Sequence, residues 1–421
     1  MLKRILAGLG FILVIVLIWL ATTDHSRVWP YRNYVYYQVQ SRWWGVAGEP
    51  QSGPAGRLAG TVRDDQGTPI AGAWVVLARW NSTAYTARTD AEGHYTLAEI
   101  PAGRYRPLAG SVGYSVEPLG QRKSGVQIEA GQTITADAVL APAQPRRATS
   151  GQDFKLGPPG RIDCTNPLEA STTQQAISFI SAGRPNQPAF FYRPLGAAPE
   201  NGYPLLLIIY PGPAESWQCA SAPLAASGYA VVAMGPNYTL EMDPDVDELE
   251  RLLDFAVAGK FPDTDATHTA ILGGSYSGIH TQLMLRRERP EIKAAVLLGA
   301  PTDIFAMRKH LEEGTFFPPF GLDKVLVALG LPDRQPELYW HYSGAYRVQS
   351  NFPPILIIHS RSDEVVPVDQ SDLLVAGLVE AGVPHQIHYF DEASHYLLSP
   401  SGESLEIYEL TRSFLAEHLK P

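Results

Sequence analysis

Six residues constrain this chain more than any others: Gly273-Gly274-Ser275-Tyr276-Ser277-Gly278. They lie between the apolar run Ala270-Ile271-Leu272 and a helix-like segment that starts near Ile279. A serine on a tight strand-to-helix turn has strained backbone and an exposed hydroxyl. It needs small flanking residues, because strand and helix approach closely there. Gly273, two residues before the serine, and Gly278, three after it, meet that demand. By itself the pattern also describes a glycine-rich turn carrying a solvated serine.

A serine hydroxyl becomes a useful nucleophile only when a histidine takes its proton and a carboxylate orients that histidine. Both partners follow in order. Pro354-Ile355-Leu356-Ile357-Ile358-His359 reads as a buried strand that runs into Ser360-Arg361-Ser362-Asp363-Glu364-Val365-Val366-Pro367, so Asp363 falls just past a strand end. His385–Phe390 reads as the next strand, and the loop after it carries His395. Open α/β sheets bind ligands at that carboxyl edge. Taken singly, a loop aspartate is a turn former or helix cap and a loop histidine is a solvated side chain; the joint order Ser-Asp-His is the specific signal. Rival bases are weaker. His385 and His388 sit inside a strand on opposite faces, and His359 reads as a packed strand histidine. Asp372 and Asp391 are rival carboxylates, but neither directly follows the strand ending near His359. The expected triad is Ser275, Asp363 and His395.

On these residues, 165–421 resembles the catalytic domain of the prolyl oligopeptidase family of serine hydrolases. The Gly-Gly-Ser-Tyr turn, the His-x-x-x-Asp-x-x-Val-Pro block at His359–Pro367 and the late loop histidine carry the resemblance. Leu205-Leu206-Leu207-Ile208-Ile209-Tyr210-Pro211-Gly212-Pro213 adds to it, being similar to the Tyr-x-Gly-Pro segment of dipeptidyl-peptidase-type members. The resemblance implies an oxyanion hole made by the Tyr210 hydroxyl and the Tyr276 N–H. A side-chain donor also makes physical sense, because Pro211 and Pro213 have no N–H to give. Ser277 and Ser360 stand where the family usually has glycine. The β-propeller of the family's peptidases has no room here, and the acidic pair that holds a free amino terminus in dipeptidyl-peptidases is not found. The implied reading is a serine peptidase acting through an acyl-enzyme; a carboxylesterase and a catalytically inert surface binding protein are the alternatives.

The amino-terminal part is organised differently. Lys3-Arg4 precede the apolar run Ile5–Ala21, long enough as a helix to span about 26 Å. Trp29, Tyr31, Tyr34, Tyr36, Tyr37, Trp43 and Trp44 follow, as an interfacial aromatic belt does. Residues 1–23 are therefore expected to be a transmembrane anchor with a cytoplasmic amino end, the rival being a cleaved signal peptide and secretion. Residues 24–52 are then an aromatic juxtamembrane segment. From 53 to 142, short alternating runs such as Ala73-Trp74-Val75-Val76-Leu77 and His94-Tyr95-Thr96-Leu97 are separated by Asp64-Asp65-Gln66-Gly67, Asp90-Ala91-Glu92-Gly93 and Pro101-Ala102-Gly103. That is the pattern of a small β-sandwich. It resembles the carboxypeptidase regulatory-like domain through Pro69-Ile70-Ala71-Gly72-Ala73-x-Val75, Thr89-Asp90-x-x-Gly93-x-Tyr95 and Ile100-Pro101-Ala102-Gly103-x-Tyr105. Such a domain is an accessory, a spacer or docking surface. Residues 143–164 read as a linker.

The remainder alternates strands and helices as a doubly wound sheet does. Ala230–Met234 and Ala294–Leu298 read as strands. Asp243-Pro244 reads as an N-cap with proline at the first helical position, opening an amphipathic helix that stops at Gly259, and Ser404–Leu419 reads as the closing helix. Thr302–Val348 is an insertion expected to cap the active site, with Phe316–Phe320 and Tyr339–Tyr342 as its aromatic clusters. The 421 residues carry a net charge of −10 with no basic run beyond the amino terminus, which argues against a nucleic-acid partner. No Cys/His spacing suggests a metal site and no cofactor is implied. The two cysteines, Cys164 and Cys219, either pair outside the cytoplasm or stay as free thiols. A small peptide or ester substrate is expected, and the oligomeric state is left open.

Overall fold

Uninterrupted aliphatic runs build the centre of the C-terminal sheet. Tyr203–Ile209, Ala230–Met234 and Ile355–Ser360 are buried at every position, because strands covered on both faces have no solvent side to alternate with. The computed structural model describes residues 2–22, 54–78, 84–119, 125–143, 153–162, 171–181, 184–237, 242–313, 315–316, 329–397, 399 and 401–419. The expected aromatic belt, Cys164 and Phe317–Phe320 lie outside the described residues.

The chain divides into two compact units, Ala143–Asp303 with Trp340–Pro421, and Met1–Pro142 with Ile304–Tyr339. The first holds a nine-stranded sheet. Its strands are β1 (Lys155–Leu156), β2 (Thr172–Ser178), β3 (Ala189–Pro194), β4 (Tyr203–Ile209), β5 (Ala230–Met234), β6 (Thr264–Gly274), β7 (Ile292–Leu298), β8 (Ile355–Ser360) and β9 (His385–Phe390). Their spatial order is β1-β2-β3-β5-β4-β6-β7-β8-β9. Pairings are antiparallel from β1 through β3 to β5, and parallel from β5 across to β9. Helices α1 (Gln218–Ala226), α2 (Asp243–Val257), α3 (Tyr276–Leu285) and α4 (Asp369–Ala381) connect parallel strands, and α5 (Glu403–Leu419) follows β9. One face of the sheet packs Leu206, Ile208, Val231, Val296, Leu356 and Ile358 against Phe414 and Leu415 of α5; each such side chain contributes about 1.5–3 kcal/mol by burial.

One boundary differs from the sequence reading. α2 begins at Asp243 with Met242 as its N-cap and no side-chain cap. The Asp243 carboxylate faces His341 Nε2 at 2.7 Å and Arg287 at 3.7 Å instead of the helix end.

In the second unit, Ala55–Asp64 pairs with His94–Pro101, Thr133–Thr135 and Ala138–Leu140, while Gly103–Gly110 pairs with Trp74–Ala78, Glu117–Pro118 and Val126–Ile128, and Ala84–Arg88 pairs with Trp74–Ala78. Leu58, Val62, Tyr95 and Ile100 from the first sheet and Val75, Leu77 and Tyr105 from the second form one core, the sandwich expected from the alternation. Its turns work as their residues suggest: Asp64 Oδ1 accepts the N–H of Gln66 and Thr68 at 2.9 and 2.7 Å, and Gly67 takes φ +85°. Ile304–Tyr339 of the insertion groups with this sandwich, and Arg106 Nη1 donates to Arg334 O at 3.3 Å. The amino-terminal segment is helical over Leu2–Thr22. Its side chains are described from Gly10 onward, apart from Ala21, and Phe11–Leu20 are exposed. Among the described residues no helix is long and apolar enough to cross a membrane.

Candidate active site

The carboxyl edge of the sheet gathers the residues singled out above. Ser275 follows β6 immediately, with φ +51° and ψ −135°. A serine holds that conformation only when its surroundings over-determine it. Ser275 N–H donates to Leu298 O at 2.9 Å and Ser275 O accepts the Gly278 N–H at 2.9 Å. Ser277, where the resemblance expects glycine, adds a local bracket: its hydroxyl donates to Gly274 O at 2.7 Å and accepts the Gly274 N–H at 3.1 Å. The glycines are required by space. A Cβ on Gly273 would sit 2.2 Å from Thr281 Oγ1, on Gly274 2.7 Å from Leu298 O, and on Gly278 2.3 Å from the Ala300 Cβ.

Asp363 lies in the loop after β8 and His395 in the loop after β9. His395 Nε2 is 2.7 Å from Ser275 Oγ, and its Nδ1 is 2.8 and 3.0 Å from the two oxygens of Asp363. The side chains are 7% and 3% exposed, so this line of hydrogen bonds is largely screened from water. Burial alone would raise the Asp363 pKa. Hydrogen bonds from His359, His395 and the Val366 N–H, with the charge of His395, outweigh it and hold the carboxyl well below the usual carboxylate range. Gly299, at φ +50°, leaves room for the pair, since a Cβ there would stand 3.0 Å from Asp363 Oδ2.

The rivals are engaged elsewhere. Tyr389 donates its hydroxyl to Asp372. Asp391 is 80% exposed and 3.7 Å from Arg361. His385 Nδ1 donates to Val383 O at 2.8 Å.

Tyr210, the first residue past β4, is buried and stacks on Trp217 with centroids 5.0 Å apart and planes at 8°. Its hydroxyl is hydrogen-bonded to Ser221 Oγ on α1 at 2.8 Å. Burial holds the phenol well above its ordinary pKa, against a smaller opposing effect of Ser221, so it keeps its proton. Tyr276 opens α3, where N–H groups project from the helix end rather than into it, and its ring packs edge-on to His280.

Supporting residues that the sequence reading passed over surround this set. Glu403, at the start of α5, accepts the N–H of Asp391, Glu392 and Ala393 at 3.2, 3.1 and 2.6 Å. Glu364 accepts the His395 N–H at 3.0 Å. Two carboxylates thus hold the histidine loop. Neither has a sequence signal, because each acts on backbone groups ten or more residues away. Cys219 is disulfide-bonded. Among the described residues, Asp90, Glu92 and His94 bring possible metal-ligand atoms within 4.8 Å of one another in an exposed sandwich turn; there Asp90 already accepts the N–H of Glu92 and His94.

A nucleophile, base and carboxylate in hydrogen-bonded series on a strained turn can perform acyl transfer. Comparison with known proteins gives the following similarities. Human dipeptidyl peptidase 8 is 25% identical over 290 residues, covering 61% of this chain and 30% of that protein. An uncharacterized peptidase of Bacillus subtilis (strain 168), YuxL, is 27% identical over 222 residues, covering 49% of this chain and 33% of that protein. The chain thus spans about a third of the length of these curated relatives. The solved Porphyromonas gingivalis dipeptidyl peptidase 4 aligns with a TM-score of 0.45 at 16% identity, over 84% of this chain and 49% of that one. Residues 57–141 match the carboxypeptidase regulatory-like domain and residues 242–421 the prolyl oligopeptidase family. The chain thus places a segment similar to a carboxypeptidase regulatory-like domain ahead of one similar to the prolyl oligopeptidase family.

Proposed function

We propose that this protein is a membrane-anchored, extracytoplasmic serine peptidase. The observation that carries the chemistry is the series Ser275 Oγ, His395 Nε2 at 2.7 Å, and Asp363 Oδ2 at 2.8 Å from His395 Nδ1. As Ser275 Oγ attacks the substrate carbonyl carbon, His395 Nε2 takes its proton, and Asp363 holds the tautomer and stabilises the imidazolium. The Tyr276 N–H and the Tyr210 hydroxyl receive the oxyanion. If Ser221 donates in its bond with Tyr210, the phenolic proton is left for that oxyanion. His395 then protonates the leaving amine. Water, deprotonated by His395, attacks the acyl-enzyme carbonyl, and Ser275 leaves with the returned proton.

Peptide bonds are the proposed substrates because the curated relatives named above are peptidases. The anchor rests on Lys3-Arg4 followed by the apolar run Ile5–Ala21 and its helical conformation. A disulfide at Cys219 suits an oxidising compartment.

The test is labelling by a fluorophosphonate probe, wild type against S275A, followed by peptide amides with free and blocked amino termini and by simple aryl esters. Labelling lost in S275A, with peptide amides cleaved, is the expected result. No labelling of folded wild type would reject the triad, and turnover of esters alone would replace peptidase by esterase. For the anchor, the full chain should stay in the membrane fraction through high-salt washing.

A further inference from the structure

His359 closes β8 with a side chain that is 0% exposed. Its Nε2 is 3.0 Å from Val366 O and 3.3 Å from Asp363 Oδ2. Neither a carbonyl nor a carboxylate can donate, so Nε2 carries a proton. Nδ1 lies 2.7 Å from the Ser371 hydroxyl on α4, which is itself buried. Asp363 is thus gripped from three sides. Oδ1 accepts the N–H of Val365 and Val366 at 2.8 Å each, both oxygens face His395 Nδ1, and Oδ2 faces His359.

We propose that His359 is a positioning residue for the triad, donating Nε2–H to Asp363 Oδ2 while Ser371 holds its other nitrogen. This rests on Ser275, His395 and Asp363 acting as proposed above. The bond fixes the plane of the carboxylate and takes up part of the charge that it presents to His395. Other groups near this pair are Glu364, on the His395 N–H, and Tyr396, whose ring centroid is 5.8 Å from that of His395. Both are placed by their contacts with His395. Without the His359 donor, Oδ2 stays buried with less of its charge compensated, favours the imidazolium of His395 more strongly, and keeps the base protonated to higher pH.

The experiment follows the second-order labelling rate against pH for wild type, H359L and H359Q. Gln carries an N–H at about the reach of Nε2 and Leu carries none. The acid limb of H359L is expected about one pH unit higher, with that of H359Q overlying wild type. An H359L profile that is only scaled down, or an H359Q limb displaced as far as that of H359L, overturns the proposal. Should H359L fail to fold, long-range ¹H–¹⁵N correlation on ¹⁵N-histidine-labelled wild type decides, the His359 signals being assigned by their loss in H359Q. A protonated Nε2 supports the proposal, and a bare Nε2 with protonated Nδ1 rejects it. Absence of labelling in wild type would reject the triad itself, while the spectrum would still read the His359 proton.

Discussion

Replacing Gly278 by alanine tests whether close packing of the elbow positions the nucleophile. The new Cβ would sit 2.3 Å from the Ala300 Cβ, where ordinary contact begins at 3.4 Å, so helix and strand end must part by about 1.1 Å. Neither atom is the far end of a flexible side chain; both are fixed to backbone, so no rotamer change relieves the overlap. Overpacking of this kind costs about 1–3 kcal/mol, and alanine's preference for a helix returns up to about 1 kcal/mol. A net loss of about 1–2 kcal/mol lowers Tm by roughly 3–6 °C in a domain of this size. Activity should suffer more. Gly278 N–H is bonded to Ser275 O, whereas His395 is held by Asp363, Glu364 and the Glu403-anchored loop. Parting α3 from Ala300 therefore moves Ser275 relative to His395, and a displacement of about 1 Å costs on the order of 100-fold in rate. The assay is fluorophosphonate labelling beside a thermal melt. I292V, at the amino end of β7 and away from the site, serves as control, with an expected loss of about 0.5–1.5 kcal/mol and an unchanged labelling rate. A G278A protein that melts lower but labels at the wild-type rate would refute the positioning argument; one with wild-type Tm would refute the clash.

Further outcomes are expected. Y210F keeps the stack on Trp217 but loses the hydroxyl, and should label and turn over about 10²–10³-fold more slowly; wild-type rates would remove Tyr210 from the oxyanion hole. The folded-state pKa of Asp363 is depressed, so its ionisation adds stability that is present above pH ~4 and fades as pH falls below it. The Tm gap between wild type and D363N should accordingly be widest near neutrality and close in acid, and a gap that widens in acid would contradict the sign. C219S should cost about 2–4 kcal/mol relative to the oxidised wild type, read by urea melts with and without reductant.

Much of this site could be read from the residues because its parts are local. The glycine spacing around Ser275 reports a strand-to-helix turn wherever it occurs, since the need for space is set by neighbours within a few residues. Buried strands such as Tyr203–Ile209 announce themselves by unbroken apolarity. Asp363 and His395 could be placed because each follows such a strand, and the carboxyl ends of parallel strands converge.

Other features depended on contacts between distant segments. Sequence could not show that Asp243 faces His341 and Arg287 and leaves its helix without a side-chain cap. It could not show that Ile304–Tyr339 groups with the sandwich. His359 read as a packed histidine, and it is buried, yet its Nε2 lies 3.0 Å from Val366 O and 3.3 Å from Asp363 Oδ2; the side of a strand is legible in sequence, the surroundings of a ring nitrogen are not. Glu403 and Glu364 hold backbone N–H groups of the His395 loop, and a backbone donor leaves no mark on residue identity. The sequence by itself determined which elements form and which residues sit at their ends, because those follow from short-range sterics and burial. Tertiary structure alone decided which donor meets which acceptor, because hydrogen bonds depend on tenths of an ångström between segments far apart in the chain.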